Sequence, residues 1–304
     1  MSSVSVIIPT LCEAVRAASL QAAVESVLRQ EHVAVVPLVV VNGTRYDADL
    51  LASLRSRAEL RVHQLEQASL PAALNVGRSL VETEYFGFLD DDDLLLPDAL
   101  ARRLRPFEAR PDLDVVVSNG WKVNGDGSRS PIAHDIADCT RDPLRALFKE
   151  YWLSSCSGLF KSRTIGPEFF DPQLAYREWT WTAFRLATSG ARLAFIDDFT
   201  FEINESNASL QKSEKYLLAE PTVFRRMLDS DMPGDVRSRV IERLSDALHA
   251  IADYYLRAGK PLEAWKYHLQ SLRSARGLRK YGLYTRHLVA SRRGMQGIDG
   301  AANR

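Results

Sequence analysis

The chain has 304 residues, 46% of them hydrophobic and 26% charged, and its 39 Lys and Arg are matched by 39 Asp and Glu. That is the make-up of a globular protein with one large domain or a domain plus an appendage. Zero net charge argues against a general nucleic-acid binder, which carries a basic excess. Cys12, Cys139 and Cys156 are too widely spaced for a disulfide framework or a metal-binding pair. No run approaches the roughly 18 apolar residues of a membrane span. With no basic leader ahead of the first apolar stretch, the expectation is a reduced, cytoplasmic protein.

Residues 4–8, Val-Ser-Val-Ile-Ile, predict a strand that ends at Pro9-Thr10. Residues 17–28 have helical spacing, with Leu20, Val24, Val27 and Leu28 on one face. Residues 35–41 are almost wholly apolar, the mark of a parallel strand covered on both faces. A turn at Asn42-Gly43-Thr44 leads to a helix near 50–57, a strand near 60–65 and a helix over 70–81. The apolar strand 85–89 then runs straight into Asp90-Asp91-Asp92-Asp93, and Pro97 sits early in the next helix. This alternation implies a doubly wound α/β sheet. In such sheets ligands bind beyond the C-terminal strand ends, so the turns at 9–13, 42–44 and 90–93 matter most.

The pattern changes beyond residue 96. Residues 115–117 and 121–123 read as strands joined to a hairpin turn at Asn124-Gly125-Asp126-Gly127. A short helix is expected over 144–149, a strand over 157–160, a helix over 177–188 ended by Gly190, and two extended pieces at 193–196 and 199–203. Residues 132–140 read as a loop for the acceptor side. From 211 to 293 the pattern is helical, and 246–272 reads as a helix-turn-helix that cannot bury its own face alone. It must pack on the catalytic domain or on a partner, which leaves room for a homo-oligomer. Arg273 to Arg293 interleaves Lys and Arg with Leu, Tyr and Val. That stretch is either a solvated helix face or a peripheral contact with anionic lipid on the inner membrane face. Residues 294–304 are expected to be a disordered tail.

Four consecutive carboxylates repel one another unless a cation or water relieves them. Hard oxygen ligands suit Mg²⁺ or Mn²⁺, and magnesium commonly takes one or two carboxylates plus substrate phosphates. A solvated acidic loop is the plain alternative, but the place of the cluster after an apolar strand of an α/β sheet favours the metal. Scattered His32, His63 and His134 read as structural or solvated.

At these residues the chain resembles family 2 glycosyltransferases with the GT-A fold. The carrying segments are Val4 to Thr10, Ala22 to Gln30, Ala73-Leu74-Asn75-Val76-Gly77, Phe88-Leu89-Asp90-Asp91-Asp92-Asp93, and Phe169-Phe170-Asp171 followed by Glu178 and Arg185-Leu186-Ala187. The resemblance implies a Rossmann-like mixed sheet flanked by helices. It also implies a catalytic domain over 1–210 (donor half 1–95, acceptor half 96–210) and a helical extension over 211–293. The activity it implies is inverting transfer of a sugar from a nucleotide-diphosphate donor to an acceptor hydroxyl, on a glycan, a lipid-linked or a small-molecule acceptor.

By the same resemblance Asp90 and Asp92 are the DxD pair. Asp92 is the main ligand of Mn²⁺ or Mg²⁺, and Asp90 faces the ribose or reaches the metal through water. Pro9, Thr10, Glu13, Asn42 and Asn75 complete the nucleotide-sugar set. Asp91 is counted with that set although the DxD alternation turns it away, and Asp93 is support. A UDP-sugar is the favoured donor, with dTDP- or GDP-sugars as alternatives. Glu178 is the general base, the one carboxylate where the family often has a Glu-Asp pair. Trp179 and Trp181 are either acceptor-side platforms or core. The chain departs from the family at Asn42, where many members carry paired Asp, and at Leu74, where many carry Arg. The alternatives are a nucleotidyltransferase and a non-catalytic scaffold on a degenerate fold. The first would need a glycine-rich basic loop where this chain has Pro9-Thr10-Leu11-Cys12-Glu13.

Overall fold

The structure, a computed structural model, describes residues 1–204 and 213–289. The chain forms two compact units, Met1–Ser209 and Leu210–Arg304.

In the first unit, β1 (Ser3–Thr10), β2 (Ala34–Asn42), β3 (Arg61–Leu65) and β4 (Tyr85–Phe88) are joined through α1 (Ala17–Leu28), α2 (Ala48–Ser56) and α3 (Leu70–Ser79). The strands pair in parallel in the order β3-β2-β1-β4. Every residue of β1 after Ser3 is buried, as a strand covered on both faces requires. α2 and α3 start where short polar side chains supply the missing acceptors. Asp47 caps α2 by accepting from the Leu50 amide at 2.8 Å, and Ser69 caps α3 by accepting from Ala72 at 3.3 Å. α3 lies close against the sheet because position 77 has no side chain. A Cβ there would stand 2.5 Å from the Ile7 Cγ2.

The sheet then turns mixed. β5 (Leu94–Leu95) and α4 (Ala99–Ala109) follow the acidic turn. Pro97 lies just ahead of α4, and the cap residue Asp98 takes a left-handed φ of 58°. β6 (Val115–Val123) and β7 (Arg129–Ile132) form a hairpin whose Gly127 has φ 80°, the backbone state its turn demands. After α5 (Ile136–Arg141) and α6 (Pro143–Ala146) come β8 (Gly158–Lys161), α7 (Glu178–Thr188) and β9 (Leu193–Asn204). The order across the sheet is β3-β2-β1-β4-β8-β6-β9-β5, with β7 beside β6. β8 is antiparallel to β4 and to β6, while β6 and β9 run parallel. This is a mixed α/β sheet flanked by helices.

Three expectations for this half are corrected. The supposed loop over 132–140 contains α5, capped by Asp135, which accepts from the Asp138 amide at 2.8 Å. The helix expected over 144–149 is the short α6, Pro143–Ala146. The two extended pieces near 193–203 are one strand, β9, whose register with β6 shifts between Ser118 and Trp121.

The second unit is helical: α8 (Glu214–Leu228), α9 (Gly234–Arg257), α10 (Pro261–Ser271) and α11 (Ala275–Tyr281). Ile251, Tyr255, Ala264 and Leu288 form its buried centre. The expected tail at 294–304 lies outside the described residues. None of the described helices is long and apolar enough to cross a membrane.

Candidate active site

The acidic turn forms where β4 ends. The Leu89 amide donates to the Ile7 carbonyl at 3.0 Å, which carries the β1–β4 pairing one residue further, and Asp93 N closes a turn onto Asp90 O at 3.1 Å. The four carboxylates then diverge. Asp91 turns inward to the end of β1. Its Oδ2 accepts from the Thr10 hydroxyl at 2.6 Å, and its Oδ1 meets the Arg16 guanidinium at 2.9 Å. The same Arg16 Nη1 lies 2.7 Å from Asp92 Oδ2. Asp90 Oδ2 accepts from the Ser155 hydroxyl at 2.8 Å. Asp93 is buried, and its Oδ1 accepts from the Asn204 amide at 3.0 Å. The Asn204 side chain donates to the Asp92 carbonyl at 2.6 Å. The end of β9 therefore braces the turn from one side and the segment after β1 from the other.

The electrostatics follow from that crowding. Burial raises the Asp90 carboxyl well above the ordinary carboxylate range. The Ser155 bond opposes this, while the fields of Asp92, Asp91 and Glu178 add to it. Burial likewise raises Asp93, with Asp90 adding to it. Asp91 is raised by burial against the opposing Thr10 bond and Arg16 charge. For Arg16, burial works against its charge, but Asp91 and Asp92 prevail and hold it above its usual value. Below the turn, the fully buried Arg103 of α4 donates to the Thr200 hydroxyl at 2.6 Å and to the Cys156 carbonyl at 2.6 Å, and burial lowers it to about 10.

Glu178 opens α7 and is close enough to Asp90 for its charge to act there. Its Oε1 accepts from the Tyr176 amide at 2.8 Å, which fixes the side chain back over the helix start. Burial raises this carboxyl too. Tyr176 holds φ 72°, left-handed backbone in a non-glycine residue just ahead of the helix. Trp179 is half-buried, its ring 5.1 Å from Phe88 and 6.3 Å from Phe170. It caps an aromatic cluster made with Phe86 and Phe160.

The structure brings Thr10, Asp90, Asp91, Asp92, Asp93 and Glu178 into one neighbourhood. It gives other expected residues structural work. Pro9 is a buried strand residue paired with Val40. Thr10 is 3% exposed, its hydroxyl held by Asp91 and by the Cys12 amide. Glu13 is half-buried and begins the short turn that carries Arg16. Asn42 Oδ1 accepts from the Ser69 amide at 2.6 Å, so this residue anchors the start of α3. The Asn75 side-chain amide donates to the carbonyls of Pro167 and Phe170 at 2.8 and 2.7 Å, tying α3 to the segment after β8. Trp181 is core at 5% exposure, stacked 5.8 Å from Phe184, and is no platform for an acceptor. Asp91, counted with the donor set but expected to turn away, links the turn to β1.

Arg16, Ser155 and Asn204 are site residues that sequence reasoning missed. Arg16 had a signal, being the first Lys or Arg of the chain and the one cation between β1 and the middle of α1. Ser155 and Asn204 had none, since their partners lie 65 and 111 positions away.

Among the described residues no three His, Cys, Asp or Glu side chains converge as a ready-made metal cage. The donor set still fits a hard divalent cation that arrives with a diphosphate, because such ions need only one or two protein carboxylates. The carboxylates here are held close without enough positive charge, and the guanidinium of Arg16 already bridges two of them in a cation's role.

The Glycosyl transferase family 2 pattern matches residues 5–169. No curated protein matches the chain. Among solved structures, S. aureus TarS 1-349 in complex with UDP-GlcNAc aligns with a TM-score of 0.59 at 17% identity, over 94% of this chain and 88% of that one. The same fragment with UDP gives 0.56 at 17% identity over 94% and 87%. A longer TarS chain gives 0.57 at 18% identity over 95% of this chain and 54% of its own. Likeness at that identity shows the fold, which is the GT-A arrangement. With more than half of its length matched by the family pattern, this chain is a glycosyltransferase and belongs to glycosyl transferase family 2.

Proposed function

We propose that the chain moves a sugar, with inversion, from a nucleotide-diphosphate donor to an acceptor hydroxyl. Asp92 and Asp90 are the residues that would hold a divalent cation on the donor diphosphate, and Glu178 is the general base. The observation that carries this reading is the convergence of Glu178 with the Asp90–Asp93 turn, felt as a field on Asp90. Asp92 is the outward carboxylate of the turn, with its side chain 30% exposed, and so the one a metal–diphosphate can reach. When bound, the cation would supply neutralisation of the charge that builds on the leaving diphosphate.

The chain's own residues have separate tasks. Asp91 is locked to Thr10 and sets the height of the turn against β1. Arg16 is the resident counter-ion, keeping Asp91 and Asp92 together before the donor arrives and free to move onto its phosphates afterwards. Glu178, raised by burial, takes the acceptor proton as the bond to the sugar forms, a role worth roughly 10²–10⁴ in rate. Its raised affinity for protons suits it to take up the acceptor's proton. Trp179, half-buried beside Glu178, offers an apolar face for a sugar ring.

A UDP-sugar is the donor we favour. The printed ligands of the TarS structures are UDP and UDP-GlcNAc, and they support the class of donor rather than its sugar. The acceptor is a carbohydrate, lipid-linked or small-molecule hydroxyl. A thermal-shift panel of UDP-, dTDP- and GDP-sugars, each with and without Mn²⁺, tests the donor site by mass action. The expected result is Mn²⁺-dependent stabilisation by UDP-sugars that Asp92→Ala removes. If no nucleotide stabilises the chain and no nucleoside diphosphate is released, the scaffold reading replaces this one.

A further inference from the structure

The zero net charge conceals a division. Residues 210–304 carry 18 Lys and Arg against 10 Asp and Glu, a formal +8, and residues 1–209 carry the balancing −8. The same helical unit holds most of the large apolar side chains open to water. Among the described residues, seven of the ten exposed ones are in it: Ile241, Tyr254, Leu262, Leu269, Leu278, Leu283 and Val289. Four of these are leucines exposed by 76%, 57%, 60% and 73% respectively, in the order Leu262, Leu269, Leu278, Leu283. Singly exposed apolar side chains need no explanation, so what matters here is the charge set among them.

Exposed leucines and cations are interspersed along these helices. On α10, Leu262, Lys266 and Leu269 are exposed at spacings of four and three, one stripe of the helix, and exposed Arg273 follows four residues on. On α11, Leu278 is exposed beside Arg279 and Lys280, and beyond it Leu283, Arg286 and Val289 are exposed at three-residue intervals. Many basic residues of α9 to α11 are neutralised locally, Arg276 by Glu242 and Lys280 by Asp246. Arg273, Arg279 and Arg286 have no ion-pair partner among the described residues. Apolar side chains alternating with uncompensated cations match an anionic lipid surface. The leucines enter the acyl boundary while the cations meet headgroup phosphates, and binding scales with both. An acidic protein partner would satisfy the cations but would not call for isolated leucines pointing outward between them.

We propose that the exposed segment from Leu262 to Val289, through Leu262, Leu269, Leu278 and Leu283 with Arg273, Arg279 and Arg286, seats the protein peripherally on an anionic membrane. This is independent of the chemistry at the acidic turn, and it is tested without donor or acceptor. The full-length chain is spun with vesicles of phosphatidylcholine alone and with vesicles containing phosphatidylglycerol, at low and at physiological salt. Three proteins are compared: wild type, Leu278→Ser/Leu283→Ser, and Arg279→Glu/Arg286→Glu. All four changed positions are exposed, so circular dichroism and melting should match wild type.

The expected result is sedimentation with the phosphatidylglycerol vesicles only, weakened by salt and lowered roughly tenfold or more by either double variant. Three results overturn the proposal. Wild type fails to sediment with anionic vesicles at low salt, neutral vesicles bind it as well as anionic ones do, or both variants bind as wild type does. Gel filtration is the control for the other occupant: a wild-type dimer that the leucine variant dissociates, with no vesicle binding, assigns the face to a second copy of the chain instead.

Discussion

The two units place charge in opposite ways. In the catalytic unit the decisive charges are inside. Asp91 and Asp93 are buried, Asp90 is pushed up by burial, and Arg78, Arg103 and Lys161 lie below 10% exposure. Two of those cations are bound chiefly to carbonyls: Arg78 donates to Ile165 and Ser162, and Lys161 to Pro111. In the helical unit the ion pairs are on the surface, as between Arg257 and Asp253 or Lys266 and Glu263. Surface pairs contribute at most about 1 kcal/mol each, whereas a buried charge fixes its surroundings because leaving it unpaired is expensive. The first unit is therefore rigid around its chemistry, and the second is free to vary its surface around a plain helical core.

That contrast can be broken most severely at Glu178. Glu178→Gln keeps the shape and the bond from the Tyr176 amide but removes the base. Transfer should fall by about 10²–10⁴ with donor affinity unchanged, read by steady-state kinetics beside nucleotide binding. An equal loss of donor binding would remove Glu178 from the role. Because its carboxyl is raised in the folded chain, the wild-type rate should climb with pH through a limb above the ordinary glutamate range.

Arg103→Ala comes next. It strips three hydrogen bonds, two to the Thr200 hydroxyl and one to the Cys156 carbonyl, and opens a cavity the size of a fully buried arginine. A loss of about 3 kcal/mol or more is expected in denaturant unfolding. An Arg→Ala change at exposed Arg279 should stay within about 0.5 kcal/mol, and equal effects would erase the contrast. Gly77→Ala sits lower, at about 1–3 kcal/mol, since its methyl would press on Ile7 and the helix must lift from the sheet.

The same contrast explains what the sequence could disclose. Apolar runs such as 35–41 announce buried strands because both faces of a parallel sheet are covered. The parallel half, with its acidic turn, was legible for that reason, as was the helix that opens on Glu178. The acceptor half resisted because its elements are short and set by tertiary contacts. α6 has four residues, and β9 is continuous only through a register shift against β6. Side-chain direction was the least legible. Asn75 and Trp181 sit in family-like segments, yet one ties down carbonyls at Pro167 and Phe170 and the other fills the core beside Phe184. The carbonyls that Asn75 holds lie 92 and 95 positions away, beyond the reach of spacing or propensity, and the helical spacing of Trp181 and Phe184 does not by itself say that their side of α7 is buried.

The smallest effect worth measuring is at Arg16, where the two styles of charge meet. Its guanidinium is 35% exposed, so its pairs with Asp91 and Asp92 are partly screened. Arg16→Ala should cost about 1 kcal/mol at most, with a characteristic pH dependence. Asp90, Asp91 and Asp93 have raised folded-state values. The stability they contribute is present below the pH at which they ionise when unfolded, and is lost as pH rises through the folded values. Without Arg16 less positive charge opposes that loss. The variant should therefore match wild type near pH 4, fall behind it toward pH 8, and regain the difference when Mn²⁺ is added. Melting curves over that range, with and without the metal, read it directly. A pH-independent deficit would mean that Arg16 acts by packing rather than as the counter-ion of the turn.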